Sequence, residues 1–214
     1  SLPWRKTKEP YESWVTEIIL EQRRIDQGMD CYVAFVKKWP DVSSLAKASE
    51  DELMKAWEGL GYYNRARNMH QTAKYVSKHL KGQFPDTYKD LLKLKGIGPY
   101  TAAAIASFAY GLSHPVLDGN VYRVIARINN LDIDITKPSA RSAFVAVLEK
   151  MMKGVDPALF NNAIMEFGAL QCIPRNPLCE DCFHCKYCQA YQHNTVHERP
   201  VKTKKSKKKR TTKH

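Results

Sequence analysis

Long hydrophobic runs are missing from this 214-residue chain, and no secretory signal is visible at its start. We therefore expect no membrane partner. Cysteine is scarce outside one corner, because five of the six cysteines lie between Cys172 and Cys188 and only Cys31 stands apart. Such clustering argues against a disulfide framework and for metal binding in a reducing compartment. We expect an intracellular protein, in a bacterium one located in the cytoplasm with the nucleoid.

Acidic residues are in deficit. The chain has 34 Lys and Arg against 22 Asp and Glu, for a net charge of +12. Residues 201–214 hold eight of the basic residues and no acid, so +4 is left for the rest. The excess of positive charge predicts a polyanionic partner, although a basic tail alone is typical of solvated or targeting segments. The length suits one large domain or two small ones.

Alternating strand patterns and internal repeats are also missing, whereas helical periodicity dominates, so we predict an all-α fold. Apolar residues from Trp14 to Ile25 indicate one helix, and those from Cys31 to Lys38 a short second one. Ser49 to Glu52 has the pattern of a capping box at the start of another. Further helices are expected over 63–80, 87–94, 99–111, 120–128, 139–152 and 156–170.

Two glycines separated by one residue, Gly96 and Gly98, lie between two helical patterns. Pro99 follows them and suits the first turn of a helix. Glycines at such a hairpin let backbone N–H groups approach a phosphate at a helix N-terminus. Asp118 comes later, where it could lie beside the sugar of that phosphate or simply cap the next helix. The segment predicts a DNA-binding hairpin that shares its site with a reacting carboxylate.

The clustered cysteines are spaced Cys172-x6-Cys179-x2-Cys182-x5-Cys188. Four thiolates at unequal gaps on one wrapped segment suit a [4Fe–4S] cluster. Structural zinc, which usually shows two Cys-x2-Cys pairs, is the alternative from the chemistry alone. Cys185 then reads as a free, partly buried thiol, and Cys31 as a small core residue.

Glu17 lies among large apolar residues of the first helix. If its carboxyl faces inward, desolvation raises the pKa toward the range of a general acid. An exposed acid on a polar helix face is the alternative. Two carboxylates, Glu17 and Asp118, could divide the cleavage of a glycosidic bond, one protonating the leaving group and one stabilising an oxocarbenium-like centre.

Taken together, these motifs resemble the helix-hairpin-helix DNA glycosylases, and among them the MutY-type adenine glycosylases. The resemblance is carried by residues 2–5, 16–20, 59–68, 96–101, 117–121 and 167–170 and by the cysteine quartet. It implies a six-helix barrel subdomain over 8–112 packed on a cluster-bearing subdomain over 113–196 and 1–7, with a basic tail at 197–214. In that family the same cysteine spacing holds a [4Fe–4S] cluster, which favours the cluster over zinc.

The resemblance also implies roles for single residues. Glu17 would protonate the adenine ring, Asp118 would stabilise the sugar cation, Tyr100 would help hold the sugar and Asn120 would order the catalytic water. The positions that match the pocket for the extruded base are Trp4, Arg5, Leu20, Ile25, Asn162 and Met165. The positions that match contacts to DNA are Gln22, Arg23, Tyr62, Gly96, Gly98 and Thr101. Extrusion is needed because the glycosidic bond is inaccessible inside a duplex.

Tyr100 stands where the strand-cleaving relatives carry a lysine that attacks the sugar as a Schiff-base nucleophile, which a tyrosine cannot do. We therefore expect a monofunctional, monomeric glycosylase that removes adenine opposite 8-oxoguanine or guanine in double-stranded DNA. Lys93 and Lys95 leave weak lyase activity from another amine open. A thymine or uracil mismatch glycosylase and a non-catalytic DNA-binding module are the alternative functions.

The chain departs from the family pattern after the first motif helix. Members usually read Leu-Gln-Gln-Thr where this chain reads Leu20-Glu21-Gln22-Arg23, and Asn162 stands where Glu or Gln is common. We expect opposite-base recognition and contacts to the base edge to differ accordingly. The family also has a preceding helix and a C-terminal domain that reads 8-oxoguanine, and we expect this chain to lack both.

Overall fold

The computed structural model describes residues 8–20 and 25–203. Within these ranges the chain forms helices joined by loops and contains no strand, which confirms the all-α prediction. None of the described helices is both long enough and apolar enough to cross a membrane.

The helices follow one another closely along the chain. They are α1 (Pro10–Leu20), α2 (Ile25–Lys38), α3 (Val42–Lys47), α4 (Glu50–Ala56), α5 (Asn64–His79), α6 (Tyr88–Leu91), α7 (Pro99–Phe108), α8 (Gly119–Ile128), α9 (Ala140–Met151), α10 (Pro157–Leu170) and α11 (Gln189–Gln192), with a 3-10 turn at Val196–Glu198. The expected helices from α4 to α10 are present. The short α3 and α11 were not expected, because six and four residues are too few for periodicity to show.

The prediction of a single helix from Trp14 to Ile25 is wrong, because α1 ends at Leu20. Ile25 begins α2, and the short helix predicted at Cys31 is the second half of α2. Because α1 and α2 pack against each other, they cannot be one continuous straight helix. No glycine or proline stands between Leu20 and Ile25, so the sequence has no local signal that marks the division.

The chain divides into two compact units. Among the described residues, unit 1 comprises 8–20, 25–116 and 154–161, and unit 2 comprises 117–153 and 162–203. The division therefore falls within α10. Two segments expected in the second subdomain, 113–116 and 154–161, are assigned to unit 1.

Unit 1 is built around α1, which packs against α2 and α7, while α3 and α4 pack against α5. Trp14 is fully buried, and its ring lies 5.1 Å from that of Phe84. The predicted capping box is present, because the Ser49 hydroxyl accepts the Glu52 N–H and the Glu52 carboxylate accepts the Ser49 N–H. This box satisfies backbone donors that a helix start would otherwise leave unpaired.

Unit 2 is built around α8, against which α9 and α11 pack. The ring of Tyr122 lies 4.9 Å from that of Phe144, which is fully buried on α9. The first part of the predicted basic tail makes defined contacts. The Ile135 N–H donates to the Val201 carbonyl at 3.1 Å. Residues 204–214 lie outside the described residues.

Candidate functional site

The two hairpin glycines serve different purposes. Gly96 has a φ of 78°, a left-handed conformation that favours glycine, and a Cβ there would lie 2.8 Å from the Asn68 Cβ on α5. Gly98 has a φ of −89° and is the N-cap of α7, and a Cβ there would meet nothing within 4 Å. Gly96 is thus needed for packing, whereas Gly98 leaves open space at the start of a helix.

The hairpin is fixed on unit 1. The Thr72 hydroxyl of α5 donates to the Lys95 carbonyl at 2.7 Å. Three apolar side chains of the hairpin are buried: Leu91, Leu94 and Ile97. The helix N-terminus that follows is therefore held on a rigid support.

The N-terminus of α7 has the character of an anion site. Pro99 occupies the first turn, and the first helical hydrogen bond runs from the Ala102 N–H to the Gly98 carbonyl at 2.9 Å. The N–H groups ahead of that bond carry the partial positive charge of a helix start. Tyr100 is half-buried, whereas the Thr101 side chain is only 8% exposed. A contact from Thr101 to DNA would therefore come from its backbone.

Glu17 lies on a helix that is buried around most of its circumference. Its own side chain is half-buried, so the alternative of a fully exposed acid is not what the structure has. Leu20, at the end of α1, is also half-buried.

Tyr62 projects from unit 1 with 70% of its surface exposed and a φ of 47°. The guanidinium of Arg65 lies 5.3 Å from the Tyr62 ring and 5.9 Å from the ring of Trp57. Arg65 also donates to the Ile18 carbonyl at 2.9 Å. Arg65 thus links the exposed Tyr62 ring, through a cation–π contact, to the backbone of α1, through the hydrogen bond. An exposed ring supported in this way suits a side chain that inserts into a base stack.

Asp118 is the N-cap of α8, so the capping role predicted as an alternative is present. One carboxylate oxygen accepts the Val121 N–H at 2.7 Å, and the other accepts the Asn120 side-chain amide at 3.0 Å. The carboxylate is therefore fixed in orientation at a helix N-terminus. Asn120 in turn accepts a hydrogen bond from Arg123 at 2.9 Å.

Arg123 joins the Asn120 amide, and through it the Asp118 carboxylate, to the start of the cysteine loop. Its buried guanidinium donates to the Cys172 carbonyl at 2.8 Å and to the Gly168 carbonyl at 2.6 Å. Gly168 lets α10 approach α8 closely, because a Cβ there would lie 2.8 Å from the Asn120 Cβ. Burial lowers the pKa of Arg123. These contacts explain why a glycine stands in this motif.

The four cysteines of the quartet line one cavity of unit 2, together with Cys185 and His184. None of them forms a disulfide. Apolar side chains complete the wall: Ile128, Phe167, Pro177, Leu178 and Val196. Within the described part of the chain, no group of three or more His, Cys, Asp or Glu side chains is arranged to hold a metal ion.

Arg127 holds the loop that carries the first cysteine. Its buried guanidinium donates to the Ile173 carbonyl at 2.8 Å, the Pro174 carbonyl at 3.1 Å and the Cys172 sulfur at 3.4 Å. Burial raises the pKa of the Cys179 thiol, and the neighbouring sulfurs raise it further. Burial raises the pKa of the Cys182 thiol in the same way.

The predicted site residues are distributed over both units. Unit 1 carries Glu17, Leu20, Ile25, Tyr62, Gly96, Gly98, Tyr100 and Thr101. Unit 2 carries Asp118, Asn120, Asn162, Met165 and the cysteines. Asn162 and Met165 are half-buried and three residues apart, on one face of α10. Four predicted positions lie outside the described residues: Trp4, Arg5, Gln22 and Arg23.

Sequence reasoning missed the residues that support the site, above all Arg123 and Arg127. A signal was present, since the two arginines lie four residues apart within the apolar pattern of α8. Charged side chains at buried positions are almost always paired, so such a pattern indicates a specific hydrogen-bonding role. Thr72 gave no comparable signal, because a single threonine on a helix is unremarkable in sequence.

Comparison with known proteins gives a consistent family. Residues 15–150 match the model described as "HhH-GPD superfamily base excision DNA repair protein". An adenine DNA glycosylase of Buchnera aphidicola subsp. Baizongia pistaciae is 35% identical over 212 residues, which cover 97% of this chain and 58% of that protein. The human adenine DNA glycosylase is 36% identical over 200 residues, covering 89% of this chain and 37% of that protein. The chain thus spans between 37% and 58% of the length of these two relatives.

A solved structure, that of a thermostable thymine-DNA glycosylase, superposes with a TM-score of 0.83. It is 30% identical in sequence, and the match covers 90% of this chain and 89% of that one. The hairpin, the helix order and these matches agree with one another. The chain belongs to the HhH-GPD superfamily of base excision DNA repair proteins.

Proposed function

We propose that this chain is a monofunctional, monomeric adenine DNA glycosylase that removes adenine opposite 8-oxoguanine or guanine in double-stranded DNA. The two relatives described above are each named adenine DNA glycosylase. This chain spans 58% of the Buchnera aphidicola protein and 37% of the human one. The single observation that carries the proposal is the Asp118 carboxylate, which is oriented by Val121 and Asn120 at the start of α8. A carboxylate held in this way can stabilise positive charge on a sugar.

The proposed reaction starts with extrusion of the adenine, because the bond to be broken is inaccessible within the duplex. Glu17 protonates the adenine ring and so makes it a better leaving group. Asp118 stabilises the oxocarbenium-like sugar, and Asn120 orders the attacking water. The hairpin at Gly98 grips a phosphate through backbone N–H groups at the N-terminus of α7.

Tyr100 sets the expected product. A tyrosine cannot form a Schiff base with the sugar, so the strand stays intact after base release. Lys93 and Lys95 are the amines nearest in sequence, and both are exposed. Any strand cleavage would therefore be slow and would depend on one of these lysines.

We also propose that Cys172, Cys179, Cys182 and Cys188 hold a [4Fe–4S] cluster. Two observations support the fit: four unbridged thiols line one cavity with apolar walls, and the buried Nδ1 of His184 in that wall has no hydrogen-bond partner. In a cubane each thiolate binds a different iron, so the sulfurs surround a larger core than a single ion requires. The cluster would supply positive charge to the thiolates and a rigid loop, with Arg127 orienting the Cys172 sulfur.

A panel of duplexes tests the proposed activity. Duplexes containing A opposite 8-oxoguanine, A opposite G, T opposite G and U opposite G are incubated with the protein and divided before alkali treatment. We expect breaks at adenine only after hot alkali. Glu17→Gln should lower the rate by about 10²- to 10⁴-fold. Glu149→Gln, an exposed acid on α9, is the matched control and should not change the rate.

Thymine removal is the second candidate, since the thermostable thymine-DNA glycosylase is similar over 90% of this chain. Release of thymine from T opposite G, with adenine left in place, would replace the adenine proposal. Tight binding to every duplex with no base released would indicate a DNA-binding module instead. Equal rates for the parent and Glu17→Gln would contradict the assigned mechanism.

A further inference from the structure

A fifth cysteine lies with the four proposed cluster ligands. Cys185 lines the same cavity as Cys172, Cys179, Cys182 and Cys188, and it is likewise unbridged. A cubane takes four protein thiolates, so one thiol of this set is in excess. The excess thiol lies within the run of ligands rather than elsewhere on the surface.

The backbone explains how Cys185 comes to face the cavity. The Cys182 N–H donates to the Cys179 carbonyl at 3.1 Å, and the Cys185 N–H donates to the Cys182 carbonyl at 2.9 Å. The Cys188 N–H donates to the His184 carbonyl at 2.9 Å and, less closely, to the Cys185 carbonyl at 3.4 Å. Consecutive turns thus carry the four cysteines from 179 to 188, and all four line the cavity.

The surrounding contacts distinguish among the proposed ligands. The Cys188 sulfur lies 3.4 Å from the Arg127 carbonyl, and the Arg127 guanidinium lies 3.4 Å from the Cys172 sulfur. These two sulfurs are thus fixed by α8. Cys182 is joined instead to Cys185 itself, through the hydrogen bond from the Cys185 N–H to the Cys182 carbonyl within the same loop. Of the two proposed ligands that lie three residues from Cys185, Cys188 is fixed by α8, so Cys182 is the one whose place Cys185 can take.

We propose that Cys185 is an alternative ligand that can replace Cys182 on its iron atom of the [4Fe–4S] cluster. The inference rests on the proposed cluster. In the exchange the Cys185 thiol loses its proton as its sulfur binds iron, and the Cys182 thiolate leaves iron and takes up a proton. No electron is transferred. Such a ligand exchange would preserve the cluster when Cys182 is lost or modified.

Iron content and alkylation of the thiols test this proposal without any measurement of repair activity. The parent, Cys185→Ser, Cys182→Ser and the double variant are reconstituted anaerobically, with Cys172→Ser as the matched control for loss of a fixed ligand. Iron, sulfide and visible absorption are measured for each. Alkylation followed by mass spectrometry then shows which thiols are protected. Circular dichroism checks that every variant remains helical.

We expect about four irons per chain in the parent and in Cys185→Ser. Cys182→Ser should keep at least half of that iron, and the double variant less than a tenth. Alkylation should modify Cys185 in the parent but not in Cys182→Ser. An iron content in Cys182→Ser as low as in the double variant would overturn the proposal.

Three other outcomes would overturn it in recognisable ways. Loss of iron from Cys185→Ser alone would make Cys185 an ordinary ligand. Iron retained by the double variant would point to another donor, of which His184 lies in the same cavity wall. A parent chain without iron would first overturn the proposed cluster, which distinguishes that failure from failure of the exchange.

Discussion

Gly98 provides a sharp test of the phosphate grip, because the fold does not need a glycine there. Its φ of −89° is open to any residue, and a Cβ would meet nothing within 4 Å. Gly98→Ala should therefore fold normally. The added methyl group would occupy the space at the start of α7 where a phosphate is expected to lie.

The expected effect on stability is small, whereas the effect on affinity is not. Alanine restricts the unfolded chain, which contributes about 0.4–1 kcal/mol, but it is a poorer N-cap than glycine by a comparable amount. A well-placed anion at a helix N-terminus contributes up to about 2 kcal/mol. Loss of about 1–2 kcal/mol corresponds to binding weaker by about 5- to 30-fold. The protein should thus keep nearly the stability of the parent and bind DNA less tightly.

Gly96→Ala is the matched control on the same hairpin. Alanine at a φ of 78° costs about 1–2 kcal/mol, and the approach to Asn68 adds to that cost. This variant should lower stability, measured by urea unfolding, by clearly more than Gly98→Ala does. DNA binding is measured by fluorescence anisotropy at several salt concentrations. If Gly98→Ala binds as tightly as the parent at every salt concentration, the hairpin does not grip a phosphate at this position.

Three further predictions concern the supports of the two units. Ser49→Ala removes the α4 cap and should cost about 0.5–2 kcal/mol in urea unfolding. Hydrogen bonds from the Ser49 N–H and hydroxyl lower the pKa of Glu52 below 4.5. The ionised Glu52 carboxylate therefore stabilises the folded protein above pH 4.5, and this contribution is lost as the pH falls through the lowered pKa. Glu52→Gln should reduce the pH dependence of the unfolding midpoint in that range, and an unchanged profile would refute the linkage. Arg123→Leu leaves the Cys172 and Gly168 carbonyls unpaired, so the free energy of unfolding should fall by about 1–3 kcal/mol. An unfolding midpoint equal to that of the parent would show that this network is dispensable.

The local signals in the sequence were reliable where one short segment decides the structure. The Ser49 capping box, the helix start at Pro99 and the end of α7 are all set by residues close together in sequence. At that end Gly111 has a φ of 64°, and the Leu112 N–H donates to the Ala106 carbonyl at 2.9 Å. No such signal stands between α1 and α2, because the residues from Glu21 to Arg24 include neither glycine nor proline.

The sequence by itself determined the helical class, the hairpin, the spacing of the cysteines and the family, because each is written in neighbouring residues or fixed intervals. Only the tertiary structure decided why Gly96 and Gly168 must be glycines, since each faces a side chain from another helix. It also decided the roles of Arg123 and Arg127, whose hydrogen bonds reach residues more than forty positions away. Contacts between distant segments depend on how helices pack, and periodicity along one helix carries no record of its partner.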